Sequence, residues 1–181
     1  MGDPQPRRLE EALARELGRI LALVTLALIQ VTLLTTPLGF AVPLVPVLVI
    51  CRTLLGVGAA FPDLGLGRAL RWALYGGLAL DVLAATPLGA HALALLLAAI
   101  LVAALSRRLR VERPAVPLLA VLLGTLIYEL VLALLTQRAP IPWSSYTIVV
   151  LLPSVLVALV PTLPLFFLLR RLLGGQLFLQ L

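Results

Sequence analysis

Six apolar runs, each about as long as a lipid bilayer is thick, dominate this sequence. Roughly 20 apolar residues in a helix cross the hydrocarbon core, and lipid offers no hydrogen-bond partner to a backbone that is neither helical nor closed into a barrel. The chain is 62% hydrophobic with a mean hydropathy of +1.15, so folding in water would expose far too much apolar surface. We therefore predict an all-α integral membrane protein, a six-transmembrane-helix bundle in one domain. The predicted spans cover about 18–36, 39–58, 70–86, 88–106, 115–136 and 146–170.

The distribution of arginine predicts the orientation of this bundle. All 14 basic residues are arginines, and 12 of them fall on one side of the six-span layout. Arg138 alone falls on the other side, and Arg52 lies within the second apolar run. Because cytoplasmic loops carry the excess of basic residues, both termini are predicted to be cytoplasmic. This topology accounts for the net charge of +6, so the charge does not predict a nucleic-acid partner.

The two ends of the chain are more polar than the spans. Residues 1–19 read MGDPQPRRLEEALARELGR, in which Leu9, Leu13 and Leu17 recur at helical spacing. We predict a cytoplasmic amphipathic helix on the membrane surface that runs into the first span, and a solvated extension is the alternative. The first apolar run has no convincing signal-peptide cleavage site, so we expect it to stay as an anchor. Residues 20–173 then form the transmembrane domain, and 174–181 form a cytoplasmic tail on the membrane surface or on a partner.

Proline marks two predicted turns and one irregular span. The letters Thr-Pro-Leu-Gly occur at 36–39 and again at 86–89, between the predicted spans of the first two hairpins. Proline at the second position and glycine at the fourth favour a type I turn. We interpret the two copies as tight hairpins with the same turn chemistry, and an internal repeat is the alternative. In the sixth span, Pro153, Pro161 and Pro164 predict a kink or a break.

Four ionisable residues lie within the apolar runs, where charge is costly and usually faces the bundle interior or a cavity. At about 1.5 Å per residue, Asp81, His91 and Glu129 lie roughly 5–10 Å below the outer ends of their spans, whereas Arg52 lies toward the inner half. A hydrogen bond between Asp81 and His91 is then feasible, either as an interhelical clamp worth about 1 kcal/mol or within a site for a polar ligand or a proton. We expect Glu129 to bond a neighbouring helix and Arg52 to extend toward the headgroups.

Motifs of soluble enzymes are missing from the sequence. It contains no Gly-x-Ser-x-Gly, no phosphate-binding loop with lysine and no His-Glu-x-x-His, and its single histidine and single cysteine, Cys51, do not make a zinc set. We predict no catalytic residue, no cofactor and no metal; an enzyme acting on a lipid-linked substrate through Asp81 or Glu129 is the alternative. Gly76 and Gly77 allow a close approach of helices, within the bundle or against a partner.

One stretch carries a family resemblance: 74-LYGGLALDVLAATPLGAHALALLLAAILVAAL-105. A Gly-rich helix leads to Leu-Asp, a small-residue turn contains Pro-Leu-Gly, and His-Ala-Leu opens a second apolar helix. In this order the stretch resembles the rod shape-determining protein MreD family. The chain length, the six-span layout and the arginine-rich loop after the fourth span also fit. The positions that fall on the family pattern are Asp81, Pro87, Leu88, Gly89 and His91.

The resemblance implies a non-enzymatic membrane scaffold of the bacterial elongation (rod) complex, in the cytoplasmic (inner) membrane. Such a scaffold binds MreC, acts with the cytoskeletal MreB, and supports RodA and its penicillin-binding transpeptidase in lateral-wall peptidoglycan synthesis and cell-shape maintenance. Membrane lipids are further expected partners. The family fold is similar to that of the S components of energy-coupling factor transporters. A second hypothesis is therefore a solute-binding subunit of a vitamin transporter, with Asp81, His91 and Glu129 lining its pocket.

Overall fold

The computed structural model describes residues 5–33, 42–58, 62–107, 115–136 and 143–177. Within those ranges 93% of the residues are helical and none forms a strand, so the predicted all-α class is confirmed. A π-helical segment, Thr147–Leu151, separates the last two α-helices. The α-helices are α1 Gln5–Leu33, α2 Leu44–Val57, α3 Pro62–Leu83, α4 Ala90–Ser106, α5 Ala115–Thr136, α6 Trp143–Tyr146 and α7 Leu152–Leu177.

Several helix bounds differ from the predicted spans. Helix α1 is continuous, so the amphipathic segment and the first apolar run form one helix from Gln5 onward. Helix α3 begins at Pro62, well before the predicted 70, because proline suits the first helical turn and Asp63 complements the positive end of the helix dipole. Helix α5 has the predicted bounds. Helix α7 extends to Leu177, into the predicted tail.

Helix α3 packs closely against three other helices. It packs against α4, α2 and α1, while α5 packs against α4 and α7. One core cluster gathers Leu54, Val116 and Leu169 from α2, α5 and α7, and we call this end of the bundle the basic end. A second cluster includes Leu80 and Tyr128 and lies toward the opposite end, which we call the hairpin end because the turn between α3 and α4 closes there.

Glycines hold α3 close to its neighbours. A Cβ atom added to Gly56 of α2 would lie 2.7 Å from the carbonyl oxygen of Gly65, so these two helices cross backbone against backbone. Gly77 packs in the same way on the backbone of Ala92 in α4, and a Cβ atom on Gly76 would lie 2.8 Å from a methyl group of Val45. The two glycines predicted to allow close approach therefore lie at helix contacts within the bundle.

The turn between α3 and α4 corrects the predicted type I turn at 86–89. The N–H of Ala90 donates to the carbonyl of Pro87 at 3.0 Å, so the turn begins one residue later than predicted. Gly89 has φ 94° and ψ −11°, the left-handed values that the third position of a type II turn requires. Pro87 therefore opens the turn, and Gly89 is needed for its positive φ. The matching letters at 36–39 lie outside the described residues.

The sixth span was predicted to be kinked or broken, and its continuous helix contradicts a break. Helix α6, the π-helical segment and α7 follow one another without interruption, and Pro161 and Pro164 lie inside α7. The irregularity is the π-helical segment, which ends two residues before Pro153. Proline lacks an N–H and its ring crowds the carbonyl four residues earlier, and the wider π turn accommodates both effects without ending the helix.

Two stretches of the described chain are long and apolar enough to cross a membrane: Ala115–Thr136 and Trp143–Leu172. Helices α2 and α4 are apolar but shorter, at 14 and 17 residues. Large apolar side chains also face outward from the bundle; Val160 on α7 is 77% exposed and Leu17 on α1 is 69% exposed. Such a surface differs from that of a soluble helical domain, whose exposed apolar residues are scattered.

Candidate functional site

The carboxylate of Asp81 lies at the hairpin end, in the last turn of α3, and is only 1% exposed. Its Oδ1 atom accepts hydrogen bonds from the Thr86 hydroxyl at 3.1 Å and from the His91 backbone N–H at 2.8 Å. Its Oδ2 atom accepts from the N–H of Gly89 at 2.9 Å and from that of Ala92 at 3.4 Å. Four donors from the turn and from α4 thus converge on one carboxylate.

This arrangement caps α4 from the neighbouring helix. The first N–H groups of a helix have no partner within it, and the N-cap residue, Gly89, has no side chain to supply one. Asp81 supplies the acceptor instead, and its negative charge lies at the positive end of the α4 dipole. Since both oxygens already accept two hydrogen bonds, Asp81 has little capacity left for a ligand.

His91 contacts a different helix from the one predicted. Asp81 bonds the main-chain N–H of His91, whereas the imidazole Nδ1 atom lies 2.6 Å from the hydroxyl of Tyr128 in α5. The two rings stack with their centroids 5.9 Å apart and an interplanar angle of 27°. The predicted contact between Asp81 and His91 therefore exists through the backbone, and the side chain of His91 links α4 to α5. The His91 ring can bond Tyr128 because the backbone N–H of His91, and not its ring, bonds the Asp81 carboxylate.

Glu129 follows Tyr128 directly but faces another helix. The hydroxyl of Tyr146 in α6 donates to the Glu129 backbone carbonyl at 3.2 Å and lies 3.5 Å from its Oε2 atom. Glu129 thus bonds a neighbouring helix, as the sequence predicted. The hairpin end carries two adjacent polar clusters, one joining α3, α4 and α5 and one joining α5 to α6.

Arg52 does not belong to either polar cluster. It lies in α2 near the basic end and is 8% exposed. A cavity of about 10 Å³ also lies at that end, and its lining is apolar except for Ser106. A volume of this size holds about one water molecule. The residues predicted as interaction candidates are thus divided between the two ends of the bundle.

Sequence reasoning missed three polar contacts. Tyr128 is the partner of His91, but 37 residues separate them and no local pattern pairs the two. Thr86 was treated only as a turn residue, although its hydroxyl donates to Asp81. Gln30 is buried in α1, and its side-chain oxygen accepts from the N–H of Val45 at 2.8 Å, which caps α2. A lone amide within an apolar run was the available signal for Gln30.

The site is built from hydrogen-bonded helix contacts. No group of three or more His, Cys, Asp or Glu side chains within the described ranges is placed to hold a metal ion. Its polar groups form helix caps and interhelical hydrogen bonds, and the Asp81 carboxylate accepts four of these bonds. No protein-family model, no curated protein and no solved structure matches this chain.

Proposed function

We propose that this chain is a non-enzymatic membrane scaffold of the bacterial elongation complex, binding MreC and supporting RodA and its penicillin-binding transpeptidase. The observation that carries the proposal is the hairpin of α3 and α4. The residues on which the resemblance to the MreD family rests (Asp81, Gly89 and His91) are joined there by hydrogen bonds into one rigid unit. A motif used to build a helix pair suits a protein that presents surfaces to partners.

A multi-pass location in the bacterial inner membrane, with both termini cytoplasmic, is part of this proposal. Helices too short to span on their own, such as α2, are accommodated in a bundle where longer neighbours cross the bilayer. Arginines at the basic end, including Arg71, Arg107 and Arg170, support a cytoplasmic location of that end. The outward-facing leucines, valines and phenylalanines of α1 and α7 suit lipid or the spans of a partner.

A pull-down of the native complex tests the scaffold. The tagged chain is solubilised in mild detergent from its own membranes, and an unrelated tagged multi-span protein treated identically is the control. We expect MreC, RodA and the transpeptidase to co-purify with the chain and not with the control. Recovery of a transporter ATPase module in their place would overturn the proposal.

A solute-binding subunit of a vitamin transporter is the second candidate. The polar side chains gathered between α3 and α6 at the hairpin end favour it, because a ligand site needs such convergent groups. The saturated hydrogen bonding of Asp81 opposes it. A thermal-shift screen against vitamins distinguishes the two, since a ligand that binds only the folded chain raises its melting temperature. A saturable rise with one vitamin would favour the transporter, and no response would leave the scaffold.

A further inference from the structure

Arg52 is a buried charge without a partner in the described part of the chain. Its side chain lies among α2 core residues at 8% exposure, and its buried Nε atom makes no hydrogen bond. The ion pairs formed by the described residues do not include it. Burying an unpaired guanidinium is strongly unfavourable, so buried arginines are normally paired. Arg52 therefore requires an anion that the described residues do not supply.

Two arginines place charges of the same sign near Arg52. Arg68 of α3 and Arg19 of α1 both lie near enough for their charges to oppose that of Arg52. The glycine contact between α2 and α3 enforces this proximity. Arg52 precedes Gly56 by one helical turn and Arg68 follows Gly65 by about one turn, so in antiparallel helices both arginines lie on the same side of the crossing.

Among the described residues, the carboxylate that pairs with these arginines is that of Glu16. The Oε1 atom of Glu16 lies 2.7 Å from Arg19 and 3.5 Å from Arg71, which ties α1 to α3. Four guanidinium groups against a single carboxylate leave the cluster strongly positive. Both contacts use Oε1; the Oε2 atom of Glu16 is buried and bonds none of the described residues, and neither Arg52 nor Arg68 forms an ion pair with Glu16. We call these five residues the arginine cluster.

We propose that Arg52, Arg68 and Arg19 form a binding site for a phosphate group, supplied by the headgroup of an anionic phospholipid. Guanidinium groups bind phosphate oxygens through paired N–H donors, and several of them around one group match its charge. Arg52 lies about 7 Å of helix rise before the end of α2, and its long side chain can reach the interfacial region while its stem stays buried. Basic pockets between helices at the cytoplasmic face are suited to anionic headgroups. The site would serve a scaffold and a transport subunit equally.

The test compares the melting temperature of the whole chain, purified in neutral detergent, with three additions. These are vesicle-derived phosphatidylglycerol, phosphatidylcholine as the neutral lipid, and inorganic phosphate. We expect phosphatidylglycerol to raise the melting temperature by several degrees, since a ligand at about 100 times its dissociation constant shifts a chain of this size by roughly 5–10 °C. Phosphatidylcholine should have no such effect.

Two variants link the shift to the cluster. Arg52→Met should lose most of the phosphatidylglycerol shift and, without anionic lipid, should melt no lower than the unsubstituted chain, because it removes an unpaired buried charge. Arg68→Gln, at an exposed position, should lose part of the shift without disturbing the core. Arg107→Gln is the matched control; its side chain is also at the basic end and 55% exposed, and it should keep the full shift.

Each outcome decides the proposal. A shift with phosphatidylglycerol alone, lost in Arg52→Met or Arg68→Gln, supports a lipid headgroup. An equal shift with inorganic phosphate supports the phosphate site and assigns it to a soluble ligand. A phosphatidylglycerol shift that survives both substitutions, or that Arg107→Gln removes to the same extent, overturns the site in favour of non-specific attraction. A clearly lower melting temperature of Arg52→Met in neutral detergent would also overturn it, because Arg52 would then have a partner within the protein.

Discussion

Replacing Asp81 by asparagine distinguishes a helix clamp from a ligand site. The carboxylate offers acceptors on both oxygens, and all four of its partners are donors. Asparagine keeps one acceptor oxygen and places an NH₂ group at the other position. If the amide group occupies the place of Oδ2, it faces the N–H of Gly89 at the 2.9 Å separation seen for the carboxylate; in the flipped orientation it faces the N–H of His91. In the first orientation two backbone N–H groups lose their acceptor; in the second the N–H of His91 does, while the Thr86 hydroxyl can turn to accept from the amide.

The magnitude follows from the number of lost bonds. A hydrogen bond to a charged group contributes about 1.5–3 kcal/mol, so the loss of one or two predicts a decrease of about 1.5–6 kcal/mol in the free energy of unfolding. For a chain of 150–250 residues this corresponds to a melting temperature lower by roughly 3–24 °C. Asp81→Ala should be less stable than Asp81→Asn, because alanine leaves all four donors without an acceptor. The expected order of stability is therefore the unsubstituted chain, then asparagine, then alanine.

Tryptophan fluorescence of the purified chain in detergent follows the unfolding, through Trp72 in α3 and Trp143 in α6. Asp63→Asn is the control, since its side chain is 95% exposed and its single contact, with Arg107 at 3.5 Å, is a surface ion pair of small effect. An Asp81→Asn protein that melts within about 2 °C of the unsubstituted chain would refute the clamp. It would mean that one carboxylate oxygen is free, as in a site for a ligand or a proton.

Three further predictions concern backbone and side-chain contacts, each measured by the same thermal unfolding. Gly65→Ala should lower the free energy of unfolding by about 1–3 kcal/mol, because the new methyl group meets the Gly56 carbonyl. Gly67→Ala, with open space around its Cα, should raise the free energy of unfolding by about 0.5–1 kcal/mol. Equal effects of the two substitutions would disprove the close crossing of α2 and α3. Ala85→Gly should stabilise by up to about 1 kcal/mol, since φ at Ala85 is 51°, whereas a loss of stability would contradict that backbone angle. Tyr128→Phe should cost about 1–3 kcal/mol by leaving the buried His91 imidazole without its partner; a cost below about 0.5 kcal/mol would argue against that hydrogen bond.

Much of the layout was predictable because it depends on local sequence. The bounds of α5 follow from an apolar run enclosed by arginine- and proline-containing segments, and the shared depth of Asp81 and His91 follows from helix rise. The direction of the His91 ring was not predictable, since it depends on Tyr128 in a helix far along the chain. The turn type was predicted wrongly because Pro-Leu-Gly fits two registers, and the hydrogen bonds to Asp81 select the later one.

The last helix shows a different limit of sequence reasoning. Proline predicts disruption, but whether the helix ends or widens depends on the packing around it. In this chain the π-helical segment Thr147–Leu151 widens the helix ahead of Pro153, and contacts with α5 hold the segment in place. The arginine cluster could not be predicted from the sequence either, because the proximity of Arg52 to Arg68 depends on the crossing of Gly56 with Gly65.

The capping of α4 by Asp81 has a consequence for biosynthesis. A lone aspartate opposes the insertion of an apolar segment, by about 2.5–3.5 kcal/mol at the centre of the helix and by less near its end, where Asp81 lies. The donors that satisfy Asp81 follow it by only 5 to 11 residues, whereas the partner of His91 follows 37 residues later. In the proposed membrane location, the third helix therefore reaches its lowest free energy only when the fourth has emerged from the ribosome. We expect the two helices to leave the translocon as a pair, before the fifth helix supplies Tyr128 as the partner of the His91 imidazole.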